Sequence, residues 1–269
     1  MQLGISSFSY GWAVGVAGFP ALAAPLDAFG LLEIARGYGV SLVQLGDNLA
    51  WHRLGDDELR ELKRVARERK ITLELGARGL SPSHLERCIA LAHELDAALL
   101  RFVIDEGEFE PSFFDVWTTL KNALPSLGEL RIGIENHDRF FPWQMKQFVE
   151  MVDDPRVGIC LDTANSFGTG HGLREVVPTL APHTLNWHIK DYDITRVPYQ
   201  MGFVVEGRPV GEGLLNLDFV WRALDETRCR SAILELWTPP EPTLEATLGK
   251  EALWVARSLE RLRAWRTWT

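Results

Sequence analysis

Four apolar runs in the second half of the chain each end in a side chain able to bind a metal ion. They are Glu135 in "IGIENHD", Asp162 in "VGICLDTANS", His188 in "TLNWHIKDYD" and Glu235 in "SAILELW". Taken singly, such a carboxylate reads as a helix cap or a salt-bridge partner, and such a histidine as a satisfied structural residue. Taken together they form a pattern that local roles do not produce, because carboxylates are depleted in strands. Neighbouring strands lie about 4.8 Å apart, so groups at one layer of strand ends converge on one ion. Two Glu, one Asp and one His offer three oxygens and a nitrogen. We therefore expect one divalent ion, Mn²⁺ first, with Mg²⁺, Co²⁺, Fe²⁺ or Zn²⁺ as alternatives, zinc usually taking more nitrogen or sulfur.

The elements that must carry these residues recur along the chain. Eight short β-rich runs begin near positions 3, 40, 71, 98, 131, 157, 184 and 231, with amphipathic segments between them. In "DDELRELKRVARERK", Leu59, Leu62, Val65 and Ala66 fall on one helical face, with acids first and bases last as the helix dipole prefers. "SPSHLERCIALAHEL" opens with Ser81 as an N-cap and Pro82 at the first helical position, and Thr243 caps a long terminal helix. Strand and helix alternating eight times without a linker predict one α/β domain over residues 1–269, a (β/α)₈ TIM barrel. A doubly wound sheet is the alternative, but "SSFSYGW" after the first strand is not a Gly-rich phosphate turn.

Bulk properties narrow the function. The 269 residues are 46% hydrophobic and 24% charged, enough for a sizeable core, and the net charge of −9 disfavours nucleic acid as a partner. Cys88, Cys160 and Cys229 are widely spaced, which reads as reduced thiols in a cytoplasmic protein. Met1 to Leu26 carries no charge, but the missing basic residue and the interrupting Gly11, Gly15, Gly18 and Pro20 favour a strand and loop over a secretory signal. No apolar run is long enough for a membrane span.

Alternation along the strands orients the neighbours. If Glu135 points into the barrel, His137 shares its face, either touching substrate or orienting Glu135, while Asn136 and Asp138 support the loop. Lys190 shares the face of His188 and either contacts substrate or pairs with Asp162 or Asp191. Trp237, two residues past Glu235, either stacks on a sugar ring or packs in the core. Glu74, Arg78, Arg101, Arg139 and Arg208 are candidates for a substrate carboxylate or phosphate. Arg208 leads among them because "EGRPVGEG" lies in a long open loop after the metal-bearing seventh strand. His52, after the second strand, is within reach of the mouth.

The segments "IENH", "LDTANS", "HIKD", "GRPVGEGLLNLD" and "LELW" resemble the xylose isomerase-like TIM-barrel superfamily, most specifically from Ile132 to Trp237. That group includes sugar isomerases and epimerases, hydroxypyruvate isomerases, inosose dehydratases and endonuclease IV-type nucleases. The resemblance implies Glu135, Asp162, His188 and Glu235 as metal ligands, with Glu135 and Glu235 doubling as the acid/base pair of the epimerases. Two positions depart from the epimerase pattern. Asn165, also counted among the substrate contacts, stands where a His is common, and Gln44, Asp47 and Asn48 stand where the second strand often ends in Glu. The trinuclear nucleases need more ligands than these strand ends supply.

The expected reaction is isomerisation or epimerisation of a ketose or keto-sugar derivative through an enediolate. A divalent cation stabilises that charge while two carboxylates move the proton. The alternative is a metal-dependent lyase, a dehydratase or decarboxylase of a keto sugar acid. A barrel kept only for binding is disfavoured, because buried carboxylates are costly without an ion. The expected partner is a small carbohydrate, with no nucleic acid and no membrane; a homo-oligomer is in keeping with the superfamily.

Overall fold

In a computed structural model that describes residues 1–199, 201–224 and 227–269, all eight apolar runs are strands. They are β1 (Gln2–Ser6), β2 (Leu42–Leu45), β3 (Thr72–Arg78), β4 (Leu99–Val103), β5 (Arg131–Glu135), β6 (Val157–Asp162), β7 (Thr184–Ile189) and β10 (Ser231–Leu234). Two further strands, β8 (Asp191–Arg196) and β9 (Phe203–Arg208), form an antiparallel hairpin outside the barrel. The eight close in the order β1-β10-β7-β6-β5-β4-β3-β2, every pair parallel. This is the TIM barrel expected from the alternation.

Helices follow the strands for the reasons visible in the sequence. Asp56–Glu68 starts with three acids, its Glu58 accepts the Gly55 N–H at 2.9 Å, and it ends where Lys70 turns left-handed. It buries Leu59, Leu62, Val65 and Ala66, the face read from the spacing. Pro82–Glu94 has Pro82 in its first turn, but the Ser81 side chain makes no capping bond, unlike the cap expected there. Leu244–Trp265 is capped by Thr243 Oγ1, which accepts the Ala246 N–H at 3.2 Å.

Because side chains alternate along each strand, the barrel has two interiors. Outward residues such as Ile132, Ile134, Leu161, Trp187 and Leu234 pack under helices carrying Leu62, Ile89, Phe148, Val177 and Val255. Each fully buried side chain of this kind stabilises the fold by about 1.5–3 kcal/mol. Inward residues meet across the axis instead. Glu74 Oε2 accepts bonds from Gln44 and Asn186, both at 3.1 Å, and Asn186 donates to Ser231 Oγ at 2.7 Å. These residues form a polar floor at mid-barrel. Glu74 and Gln44 therefore lie inside the barrel and not at its mouth, since β3 runs on past Gly76 to Arg78.

The three cysteines are buried free thiols. Among the described residues no helix is long and apolar enough to cross a membrane.

Candidate metal centre and active site

The four candidate ligands sit at the C-terminal ends of adjacent barrel strands, and the stagger of a tilted barrel brings them level. Glu135 pairs in the ladder with Cys160, so Asp162 lies two residues further along β6. Asp162 pairs with His188 directly, and His188 pairs with Ile233, two residues before Glu235. Each two-residue step is the offset that tilted strands need to keep their ends in one plane.

All four are buried, with Asp162, His188 and Glu235 at 0% exposure and Glu135 at 2%. His188 Nδ1 lies 3.4 Å from Glu235 Oε1 and 3.8 Å from both Glu135 Oε2 and Asp162 Oδ2. Glu135 Oε2 and Asp162 Oδ2 are ion-paired with Arg101 and Lys190, whereas both His188 nitrogens and Glu235 Oε1 have no hydrogen-bond partner among the described residues. Buried polar atoms rarely go unpaired. Six-coordinate bonds of about 2.1 Å put neighbouring donors roughly 3 Å apart and opposed donors roughly 4 Å apart, a range that brackets the spacings here. The donor set and its unpaired atoms fit a divalent cation.

Two cations complete the cluster. Lys190 Nζ pairs with Asp162 Oδ2 at 2.8 Å and Glu235 Oε2 at 2.9 Å. Arg101 Nε lies 2.6 Å from Glu135 Oε2, and its Nη1 donates to Asp47 Oδ1 at 2.9 Å. Gly76 packs closely against both the end of β2 and Arg101, since a Cβ there would lie 3.2 Å from Gly46 Cα and 3.4 Å from the Arg101 guanidinium carbon. Burial alone would push Glu235 up, yet the neighbouring His188 and Lys190 hold its carboxyl well below the usual range. Burial likewise works against charge on Lys190, but Asp162 and Glu235 outweigh it and keep the ammonium protonated. Three carboxylates against two fixed cations leave one excess negative charge, and although burial works against charge on His188, Glu235 and Glu135 outweigh it and raise the imidazole above its ordinary value. A divalent ion would make the centre net positive.

Supports surround the ligands. Asn136 Nδ2 donates to the Asp162 carbonyl at 2.9 Å and to Ser166 Oγ at 2.8 Å, while its Oδ1 accepts the Asp162 N–H at 2.7 Å. Asp162 Oδ1 caps the next turn by accepting the N–H groups of Ala164 and Asn165 at 2.8 and 2.9 Å. Asn165 Nδ2 donates to Glu135 Oε1 at 2.6 Å. Cys160 Sγ, which clusters with Glu135 and His188 as a possible ligand set, donates to Asn186 Oδ1 at 3.0 Å.

A cavity of about 280 Å³ opens above the centre, lined by Glu135, His137, Asn165, Lys190, Glu235 and Trp237 together with Phe8, Arg78, Arg101 and Leu236. Among the residues singled out in the sequence, Asp162 and His188 lie beneath this surface, and Arg208 lies apart from it. Arg208 sits on β9, 3.6 Å from both Asp193 and Glu206. Its segment is a hairpin strand, not the open loop expected. Glu212 faces Arg257 on the last helix, and Asp191 binds the Gly211, Gly213 and Leu215 N–H groups at 2.7, 3.2 and 2.9 Å. Lys190 pairs with Asp162 and not with Asp191. Arg139 is held by Asp105. Arg101 is the site residue given least weight from sequence; a lone arginine inside "LLRFVI", on the inward face with Leu99 and Val103, was its signal.

Comparison with known proteins agrees with this architecture. The chain is 29% identical over 265 residues to 3-oxo-isoapionate decarboxylase of Pectobacterium atrosepticum, covering 97% of this chain and 95% of that protein. Among solved structures, D-psicose 3-epimerase crystallised in the presence of D-fructose superposes with a TM-score of 0.70 at 14% identity, covering 98% of this chain and 97% of that one. A xylose isomerase-like TIM barrel protein from Mycobacterium smegmatis, in complex with magnesium, gives 0.69 at 14% identity, covering 97% of each chain. Residues 32–265 match the family profile described as "Xylose isomerase-like TIM barrel". With the barrel closed and its strand ends gathered into one buried centre, the chain belongs to the xylose isomerase-like TIM-barrel family.

Proposed function

We propose that this protein is a divalent-metal-dependent lyase that decarboxylates a keto sugar acid. The observation that carries the reading is the pair of buried cations, Arg101 and Lys190, built into the carboxylate cluster and facing the cavity. An epimerase needs a carboxylate free to take a proton on each face of its substrate. Here Glu135 is clamped by Arg101 and Asn165, and Glu235 by Lys190 and His188. Loss of CO₂ needs no base to start it. It needs an electron sink, a positive centre to draw in the anion, and a proton donor afterwards. The likeness in sequence to a decarboxylase over nearly the whole chain supports the same reading.

Glu135, Asp162, His188 and Glu235 would hold the ion, which when bound acts as a Lewis acid toward the substrate's carbonyl oxygen. The chain's own residues do the rest. Arg78, Arg101 and Lys190 attract the sugar acid into a small cavity. The wall formed by Phe8, Leu236 and Trp237 is poorly solvating, which favours neutral CO₂ over carboxylate. In a 3-keto acid the electron pair of the breaking carbon–carboxylate bond moves toward the neighbouring carbonyl and leaves an enolate. Lys190 Nζ then gives a proton to the vacated carbon and is reprotonated from solvent. Asn165 keeps Glu135 turned toward the centre.

A second reading is isomerisation or epimerisation of a ketose through an enediolate. It is favoured by the placement of Glu135 and Glu235 on β5 and just beyond β10, flanking Asp162 and His188 from opposite sides. The separating experiment incubates Mn²⁺-loaded protein with keto sugar acids labelled at the carboxyl carbon and with ketoses. Labelled CO₂ from an acid supports the lyase. Conversion of a ketose with no CO₂ from any acid would replace it with the isomerase.

A further inference from the structure

A second concavity, of about 550 Å³, adjoins the catalytic cavity and shares Arg78 with it. It is formed on the same face of the barrel by Asp47, His52 and Arg53 after β2, by His84 and Arg87 on helix Pro82–Glu94, and by Glu106 after β4. Resting on the reading of the first cavity as a sugar-acid site, we infer that this groove receives a second anionic group, a phosphate or a carboxylate, at the far end of the substrate.

Charge is the first argument. The chain carries a net charge of −9, yet three arginines and two histidines gather here against Asp47 and Glu106. Asp47 is already committed, with one oxygen taken by Arg101 and the other by Arg78 Nε at 3.1 Å. Among the described residues, neither Arg53 nor Arg87 has a carboxylate partner; Arg87 donates to the His52 carbonyl at 3.3 Å. Guanidinium groups left open in a concave surface suit the paired oxygens of a phosphate or carboxylate.

Two further features point the same way. His52 Nδ1 is buried in this groove without a hydrogen-bond partner among the described residues. His84 lies in the first turn of a 13-residue helix whose Ser81 side chain leaves the positive end uncapped. Burial first, and then His84, Arg53 and Arg87, push the His52 imidazole down, with Glu106 opposing them. Size agrees as well. A cavity of about 280 Å³ encloses the reacting end, and Arg78 leads from it into the larger groove.

Titration calorimetry on the intact Mg²⁺-loaded chain tests this with inorganic phosphate and, separately, acetate. We expect the wild type to bind at least one of them, and R53S/R87S to weaken that binding by at least about tenfold. Phosphate binding alone assigns the group as phosphate; acetate binding of equal strength assigns a carboxylate. Retention of Mg²⁺ and of the melting temperature by the double variant shows that its fold is intact. The inference is overturned if neither anion binds the wild type, or if R53S/R87S binds as well as the wild type does. Release of CO₂ from a keto sugar acid lacking the distal anion is read independently, so failure of the groove and failure of the lyase reading give different results.

Discussion

Replacing Lys190 with Met separates the two tasks assigned to this side chain. Lys190 is 8% exposed, and its ammonium lies 2.8 Å from Asp162 and 2.9 Å from Glu235, both at 0% exposure. Methionine keeps the length and apolar stem but leaves two buried carboxylates without their cation. Breaking a buried pair in this way costs about 3–5 kcal/mol. For a chain of this size that lowers the melting temperature of the metal-free protein by about 6–20 °C. Binding of Mn²⁺ restores positive charge beside the same carboxylates, so the deficit shrinks when the ion is added. Turnover does not recover with it: losing the proton donor lowers kcat by about 10²–10⁴-fold even in the metal-loaded variant. Differential scanning fluorimetry with and without Mn²⁺, alongside the CO₂ assay, reads both effects. A metal-free variant that melts with the wild type refutes the buried-pair argument. A metal-loaded variant with full turnover refutes the proton-donor role.

Three other outcomes follow from the same geometry. Asp162→Ala lowers the bound divalent ion, measured by plasma mass spectrometry after native purification, from about one per chain toward zero. Asn136→Ala removes three buried hydrogen bonds around Asp162, with a stability loss of about 2–4 kcal/mol by urea melts and roughly tenfold weaker Mn²⁺ binding by titration. Glu251 accepts the Trp12 and Ala13 N–H groups at 2.8 and 3.0 Å, and burial pushes its carboxyl up from 4.5 to about 7. The folded chain therefore holds a proton that the unfolded chain releases. The stability this gives is complete below pH 4.5 and is lost as pH rises through about 7. Glu251→Gln flattens that part of the melting-temperature profile.

Much of this molecule was legible because barrel strands speak in short apolar runs, and each metal-competent residue stood where such a run stopped. Glu135, Asp162, His188 and Glu235 belong to consecutive barrel strands, so chain order alone brought them together. What failed to show depends on contacts between distant segments. The hairpin of β8 and β9 was hidden because β9 does not alternate apolar with polar; Phe203, Val204 and Val205 are consecutive and all exposed. Glu74 looked like a strand-end residue because Gly76 reads as a stop, whereas that glycine lies within β3, packed closely against Gly46. Arg101 is tolerated in an apolar strand only because Asp47 and Glu135 meet it in space. The N-terminal uncharged stretch opens with the expected strand, but short helical turns at Ser7–Tyr10 and Gly11–Val14 precede the loop, and the next helix, Ala28–Gly37, starts beyond the stretch.

The central claim is that this centre breaks a carbon–carboxylate bond and then protonates the vacated carbon. Running the metal-loaded protein in deuterated water with a keto sugar acid, followed by NMR, tests it most directly. The account predicts one deuteron on the carbon that lost CO₂, with no exchange into added ketoses. Deuterium entering a ketose or keto acid whose carbon skeleton stays intact would contradict it.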